Sequence, residues 1–346
     1  MNFACLRLAR NAQSAVLALA AAVLPAAIAH AASPPAVVAR PVAYRLELTI
    51  LPERPTFDGH VEIDVDLADA TSSLVIDGQD LQVKRAMVRQ GAPRFAPLIA
   101  SSTRMGTHGS ISRACLWRDA RHWYWIMRPP SRKRLQGSTV QRSMAAGTSG
   151  LISKHGTLGA CLRAFDRAGF KAPFTVSVTT TSDLVATSNG AEQPTEAAGA
   201  LVRHRFASTA PLPTYLVAVA VGPCAVSSTN IAPNAARTIS VPLRILAPQA
   251  AGSAELALTQ TGPILEKLEA YMGRRYPYAK VDQIASPLMP GGMENAAAII
   301  YDQDTLMPQD PRSPAARRPS FVWWRTSWRT NGLAIWSPRK AGMIFG

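Results

Sequence analysis

The sequence predicts a β-rich, multidomain chain: an antiparallel β-sandwich or saddle over residues 36–250, then the opening of an α/β unit. Two observations carry this. Apolar and polar residues alternate with period two in two separate stretches, 41–83 and 170–245, and the apolar spacing becomes helical after Gly252. A third observation bounds it. The excess basic charge and every tryptophan are confined to two other stretches, 89–167 and 311–346, where neither period holds. With 346 residues, 47% of them hydrophobic, the chain is long enough to bury more than one core.

Residues 1–31 read as a signal peptide rather than as part of either domain. Arg7 and Arg10 form a basic start, Ser14 to Ile28 an apolar run, and Ala29-His30-Ala31 a small-residue cleavage site. A membrane anchor fits less well, because the run is short and broken by Pro25. No later stretch is long and apolar enough to span a bilayer, so a secreted or periplasmic protein without stable membrane insertion is expected. Loss of the signal leaves Cys115, Cys161 and Cys224, an odd, irregularly spaced set that gives neither a disulfide framework nor a metal site.

In the first β stretch Tyr44, Leu46, Leu48 and Ile50 alternate, and a turn falls around Pro55 to Gly59. Val61, Ile63, Val65 and Leu67 then alternate again, which makes a half-buried antiparallel pair. Leu74 to Gly78 and Leu81 to Val83 are expected to add a further strand pair. Order returns at Phe170. Phe174, Val176 and Val178 alternate, and Asp183 to Gly190 reads as a strand running into a turn. Tyr215 to Val221 reads as a buried strand and Val241 to Ile245 as the last strand of the β part. Beyond it Leu256, Ile264, Leu265, Leu268, Tyr271 and Met272 form one apolar helical face, with Glu266, Lys267 and Glu269 opposite. The change of period near residue 250 is the expected domain boundary.

A net charge of +15 would ordinarily point to nucleic acid or an anionic membrane. Its distribution argues against both. Residues 89–167 hold fourteen Lys and Arg against only Asp119 and Asp166, residues 311–346 hold seven and no acid, and elsewhere acids outnumber bases. These two segments differ in kind from the rest. A structureless loop as long as 89–167 is itself unusual inside a compact domain.

The residues that carry chemistry are Gly291, Gly292, Met293, Glu294 and Asn295, which follow the helix and the loop Tyr276 to Asp282. Adjacent glycines let the backbone approach an extended peptide closely, and a carboxylate beside them binds a free α-ammonium by a charge-assisted hydrogen bond. Pro290-Gly291-Gly292-Met293-Glu294-Asn295-Ala296, preceded by Gly273-Arg274-Arg275-Tyr276-Pro277-Tyr278 and followed by Ile299-Ile300-Tyr301, resembles the G-x-M-E-N exopeptidase motif of the aminopeptidase N family of zinc metallopeptidases. Tyr44-Arg45-Leu46 through Phe57 to Val61 resembles that family's first hairpin. Phe170 to Phe174, Ser188-Asn189-Gly190 and Pro213 to Ala218 resemble its later strands, in the same order. The resemblance implies that Glu294 anchors the substrate's α-amino group, that Gly291, Gly292 and Met293 line its backbone, and that Asn295 completes the motif. It also implies a peptide N-terminus as partner, zinc as cofactor, and a thermolysin-like catalytic domain beginning over residues 251–310.

The family's zinc helix, H-E-x-x-H, is not in this sequence. The histidines are 30, 60, 108, 122, 155 and 204, none of them beyond the motif, so no catalytic or metal-ligating residue is assigned. Residues 311–346 offer an explanation. Read one nucleotide out of register from Trp323, allowed codons give Val and Ala and the following junctions can spell His-Glu-Leu-Ala-His-Gln-Trp-Phe-Gly-Asp-Leu-Val-Thr, and the same shift over Gln136 to Thr148 gives family-like sequence. Both anomalous segments are therefore expected to be out-of-frame translation of a truncated family member. Two functions follow. One is a zinc aminopeptidase family protein, releasing N-terminal amino acids in its complete form and inactive here. The other is a non-catalytic secreted β-rich binding module that uses the basic segment on an acidic partner, which the confinement of the charge disfavours. Oligomeric state and side-chain specificity have no sequence signal.

Overall fold

The structure is a computed structural model that describes residues 39–308 apart from 52–53, 55–56, 78–81, 91–94, 98, 103–107, 117–119, 129–137, 143–148, 154–163, 166–168, 249–252 and 288–291; across 89–163 the description is of backbone. The expected signal segment, the tail 309–346 and Gly291 lie outside the described residues.

The first hairpin forms as the alternation predicts. Strands β1 (Ala39–Thr49) and β2 (Asp58–Leu67) pair antiparallel, with Tyr44 opposite Ile63 and Leu46 opposite Val61. Tyr44, Leu46, Leu48, Val61, Ile63, Val65 and Leu67 are all buried. On the solvent phase, Arg45 reaches Glu62 at 2.6 Å and Asp64 at 3.1 Å, spanning two residues of one strand and so reinforcing the register. Strands β3 (Thr71–Asp77) and β4 (Gln82–Gln90) also form, but not as a pair. β3 joins a three-stranded sheet with β6 (Ile99–Ser102) and β7 (His108–Leu116), whereas β4 lies between β5 (Phe95–Pro97) and β8 (Ala120–Arg128). Alternation marks a strand and not its partner. Both true partners come from the stretch without a sequence period, where β9 (Ser138–Arg142) and β10 (Ser149–Ser153) pair with each other. In β8 the run Trp123-Tyr124-Trp125-Ile126 suits a strand by its aromatic and β-branched side chains.

β11 (Phe174–Thr180) pairs with β1 in parallel, the one parallel join in an otherwise antiparallel eight-stranded sheet ordered β13-β14-β11-β1-β2-β8-β4-β5. Here β13 is Glu192–Ala198 and β14 Leu201–Phe206. Tyr44 stacks on Phe174 across that join, ring centroids 4.5 Å apart, and the Tyr44 hydroxyl accepts from the Phe165 amide. β12 (Val185–Ser188) pairs with β15 (Val219–Gly222). The stretch expected as one strand from Tyr215 is thus divided. Pro213 starts a 3₁₀ turn over Thr214–Leu216, and the strand begins only at Val219. A wholly apolar buried run has no periodicity to distinguish the two.

The last sheet runs across residue 250. Its order is β16-β17-β18-β20-β19, from β16 (Cys224–Ile231), β17 (Val241–Pro248), β18 (Val281–Ser286), β19 (Gly292–Met293) and β20 (Ala298–Asp302). β17, β18 and β20 are parallel, and helix α1 (Glu255–Met272) connects the first two. Every residue of β18 is buried, as a parallel strand covered on both faces requires. Val281, Ala285, Ile299 and Tyr301 face α1 and its Ile264 and Leu265; Ile284, Ile300, Ala298 and Met293 face the β part and join its core. A short helix, α2 (Gln303–Leu306), follows β20 and is capped by the Asp302 side chain.

α1 corrects the expected helical face at two places. Glu269 is 1% exposed, while Tyr271 is 74% exposed. Glu269 is buried because Arg237, Asn234 and the Tyr276 amide all donate to it, at 3.1, 2.6 and 2.8 Å. Paired and hydrogen-bonded, its charge is tolerated where a lone carboxylate would not be. The helix ends at Gly273, whose φ of 62° places it in the left-handed cap conformation.

Candidate peptide-terminus site

The two described glycine-motif residues ahead of Glu294 form β19, paired antiparallel with β20 as Gly292 opposite Tyr301 and Met293 opposite Ile300. β19 is the terminal strand of its sheet, so its outer main-chain groups have no strand partner among the described residues. Met293 is 2% exposed and anchors the edge in the core; Gly292 and Glu294 are half-buried. Asn295 is fully buried, its amide donating to the carbonyls of Tyr215 and Val217 at 3.4 and 3.3 Å. The chain then turns sharply. Ala298 N–H returns to the Asn295 carbonyl at 3.2 Å, and Ala297 has φ 61°, a left-handed conformation that costs an L residue roughly 1–2 kcal/mol.

Tyr215 flanks the site from the 3₁₀ turn. Burial pushes its hydroxyl pKa up and the charge of Glu294 pushes it further, so it stays a neutral phenol beside the carboxylate.

Beneath the motif lies a buried polar cluster. Asp282, on β18, accepts from Arg244 at 2.8 and 2.6 Å, from the Thr187 hydroxyl at 2.6 Å and from Lys280. Lys280 also donates to Thr187 Oγ1 at 3.0 Å and to the Ser188 carbonyl at 2.6 Å, so all three of its protons are used. Burial alone would raise the Asp282 carboxyl, but Arg244 and Lys280 hold it below the usual carboxylate range. Burial draws the Lys280 ammonium below the ordinary lysine range, with Asp282 opposing. The Asp282 amide donates to the Ala297 carbonyl at 2.9 Å, which ties the cluster to the turn.

The sequence singled out Gly292 to Asn295 and the structure brings them together at one sheet edge. It missed Lys280, Asp282, Arg244 and Thr187. The signal available was Lys280-Val281-Asp282, two charges bracketing an apolar residue at the head of an apolar run, which reads as loop unless β18 is recognised as a buried strand. Among the described residues no three His, Cys, Asp or Glu side chains converge as a metal site requires. The described residues therefore do not fit zinc. His60 sits 3.4 Å from Glu62 on a part-exposed face, and the buried His204 lies 3.5 Å from Glu192 on the edge strand β13. His108, His122 and His155 have no described side chain. Cys224 is a free thiol that burial pushes up to about 11.

The site is thus an open sheet edge that contains a glycine and has an acid at its end. Comparison with known proteins narrows this. The family model described as the Peptidase M1 N-terminal domain matches residues 161–216. The chain is 27% identical to aminopeptidase N of Acetobacter pasteurianus over 195 residues, covering 50% of this chain and 53% of that one. It is 28% identical to aminopeptidase Q of Felis catus over 352 residues, covering 85% of this chain and 34% of that one. Against aminopeptidase N of Bos taurus it is 30% identical over 198 residues, 49% and 20% of the two chains. Over these parts the chain is similar to members of the aminopeptidase N (M1) family. It spans at most about half the length of these relatives.

Proposed function

We propose that this chain holds the N-terminus of a peptide, as the amine-anchoring part of an aminopeptidase-type peptide hydrolase. The observation that carries it is the edge strand Gly292–Met293 with Glu294 at its end. An unpaired edge accepts an extended main chain, and a carboxylate where the strand stops binds the ammonium that only a first residue carries. In this reading Glu294 takes the amine, Gly291, Gly292 and Met293 take the substrate backbone, and Asn295 is a positioning residue, since its amide is spent inside the protein. The five-stranded sheet with α1 is the opening of the peptidase domain, and residues 1–31 direct the protein for export. The family reaction, zinc-dependent release of N-terminal amino acids, requires an H-E-x-x-H helix that this sequence does not contain. This chain therefore binds peptides without cleaving them.

The test is titration calorimetry with a free and an N-acetylated tripeptide. The free amine is expected to bind on the order of tenfold tighter, and Glu294→Gln to abolish that preference. Equal affinities for the two peptides would sink the reading. Turnover of an aminoacyl anilide with stoichiometric zinc would overturn its non-catalytic half.

A further inference from the structure

Asn189 sits between β12 and β13, 5% exposed, in the segment Ser188-Asn189-Gly190. Its carboxamide uses both protons and its oxygen on main-chain groups of two distant segments. Nδ2 donates to the Leu216 carbonyl at 2.8 Å and to the Ala296 carbonyl at 2.6 Å, while Oδ1 accepts from the Ala218 amide at 2.7 Å. An asparagine that merely closes its own turn bonds groups two or three residues away; these partners lie 27, 107 and 29 residues away. Ser188 adds a bond to the Ala218 carbonyl at 2.8 Å, and Ala296 N–H donates to the Leu216 carbonyl at 3.3 Å.

Gly190 lets the chain leave this point. A Cβ there would lie 1.9 Å from the Ala207 carbonyl oxygen, so only glycine permits the approach that brings Asn189 inward. On the far side, the turn after Glu294 contains the left-handed Ala297, a conformation that persists only where surrounding bonds over-determine it. Four sets of bonds do so: Asn189 on Ala296 O, the Asp282 amide on Ala297 O, Leu216 O on the Ala296 amide, and the Asn295 amide on the 3₁₀ turn. From a third element, the Asn189 side chain bonds both the 3₁₀-turn segment that carries Tyr215 and the turn that follows Glu294.

We propose that Asn189 is a positioning residue for amine recognition, fixing Glu294 against the β19 edge and Tyr215 by clamping Ala296 to Leu216 and Ala218. This rests on the reading of Glu294 as the amine anchor. The test uses the full chain with Asn189→Ala and Asn189→Asp, the latter keeping the acceptor for Ala218 and losing both donations. Two quantities are read: backbone amide exchange, and the ratio of affinities for the free and acetylated tripeptides. Expected is at least tenfold faster exchange at the Ala296 and Ala298 amides in both variants, with β1–β2 amides unchanged, and a loss of most of the free-amine preference while the acetylated peptide binds as before. Unchanged local exchange or an intact preference overturns the proposal. So does uniform loss of protection or failure of both variants to fold, which makes Asn189 a general stability residue. If the unaltered chain shows no free-amine preference, the amine-anchor reading fails by itself, and exchange at Ala296 and Ala298 still decides whether Asn189 clamps the turn.

Discussion

The two faces of the five-stranded sheet are built on different principles. Toward α1 the contacts are apolar, Val281, Ala285, Ile299 and Tyr301 against Ile264 and Leu265, with one polar pair in which Gln283 donates to Thr261 at 2.9 Å. Toward the β part the same strands present Arg244 and Asp282, and the loop before them Lys280, to Thr187 and Ser188. The first face is held by area, which tolerates small slips. The second is held by directional bonds, which do not, and it is the face on which the Glu294 turn rests.

The sharpest way to break the comparison is Asp282→Ala, which strands Arg244 and Lys280 without their shared anion. A loss of about 3–5 kcal/mol is expected in urea unfolding, because an uncompensated buried charge costs more than the intact pair contributes. The triple change Arg244→Met, Lys280→Met, Asp282→Leu sharpens it. Stability should return to within about 2 kcal/mol of the unaltered chain, by replacing buried charges with apolar area and leaving only the part-exposed Glu192, the second partner of Arg244, without its pair. Free-amine preference should be lost in Asp282→Ala and stay lost in the triple variant if directional bonds are what hold the turn.

On the opposite face Leu265→Ala, 1% exposed, should cost about 2–5 kcal/mol through lost contact and cavity, and leave the free-amine preference intact. The pH response separates the faces again. Asp282 has a carboxyl depressed by Arg244 and Lys280, so its contribution is present above the unfolded value near 3.8 and is lost as pH falls through the lower folded value. Denaturant midpoints should therefore drop more steeply below pH 4 in the unaltered chain than in the triple variant. Smaller still, Ala297→Gly should lie within about 1 kcal/mol of no change, the relief of a left-handed alanine being offset by the chain entropy that glycine adds and by loss of a buried methyl. Tyr271→Ser, at an exposed site, should lie within about 0.5 kcal/mol of no change.

The half of the fold with one wet face was legible in the sequence. Leu46 and Val61 are buried while Arg45 and Glu62 reach solvent, and that contrast writes period two into the chain. β18 has no wet face. Asp282 and Gln283 are as buried as Val281, and a strand covered on both sides carries no alternation to read. The partners of β3 and β4 were illegible for another reason, since pairing is set by strands from a stretch without a period. For the site, the glycines and Glu294 stood out by their chemistry. Asn189 and Asp282 did not, because their function lies in bonds to residues far along the chain. Glu269 and Tyr271 exchanged faces on one helix because Arg237, 32 residues earlier, supplies the charge that lets an acid go inside.

Among the described residues the β19 edge is two residues long. A longer open edge would recruit any extended segment, including that of a neighbouring molecule, and is the usual start of strand-to-strand aggregation. The far edge of the large sheet meets that hazard with Glu192, Pro194 and Glu196 along an exposed β13. β19 meets it by brevity. So short a template offers few main-chain bonds to a stray strand, and in the function proposed above a visitor is retained by the positive charge it brings to Glu294. On the proposed reading, selectivity for a chain's first residue and resistance to self-association then arise from the same short edge.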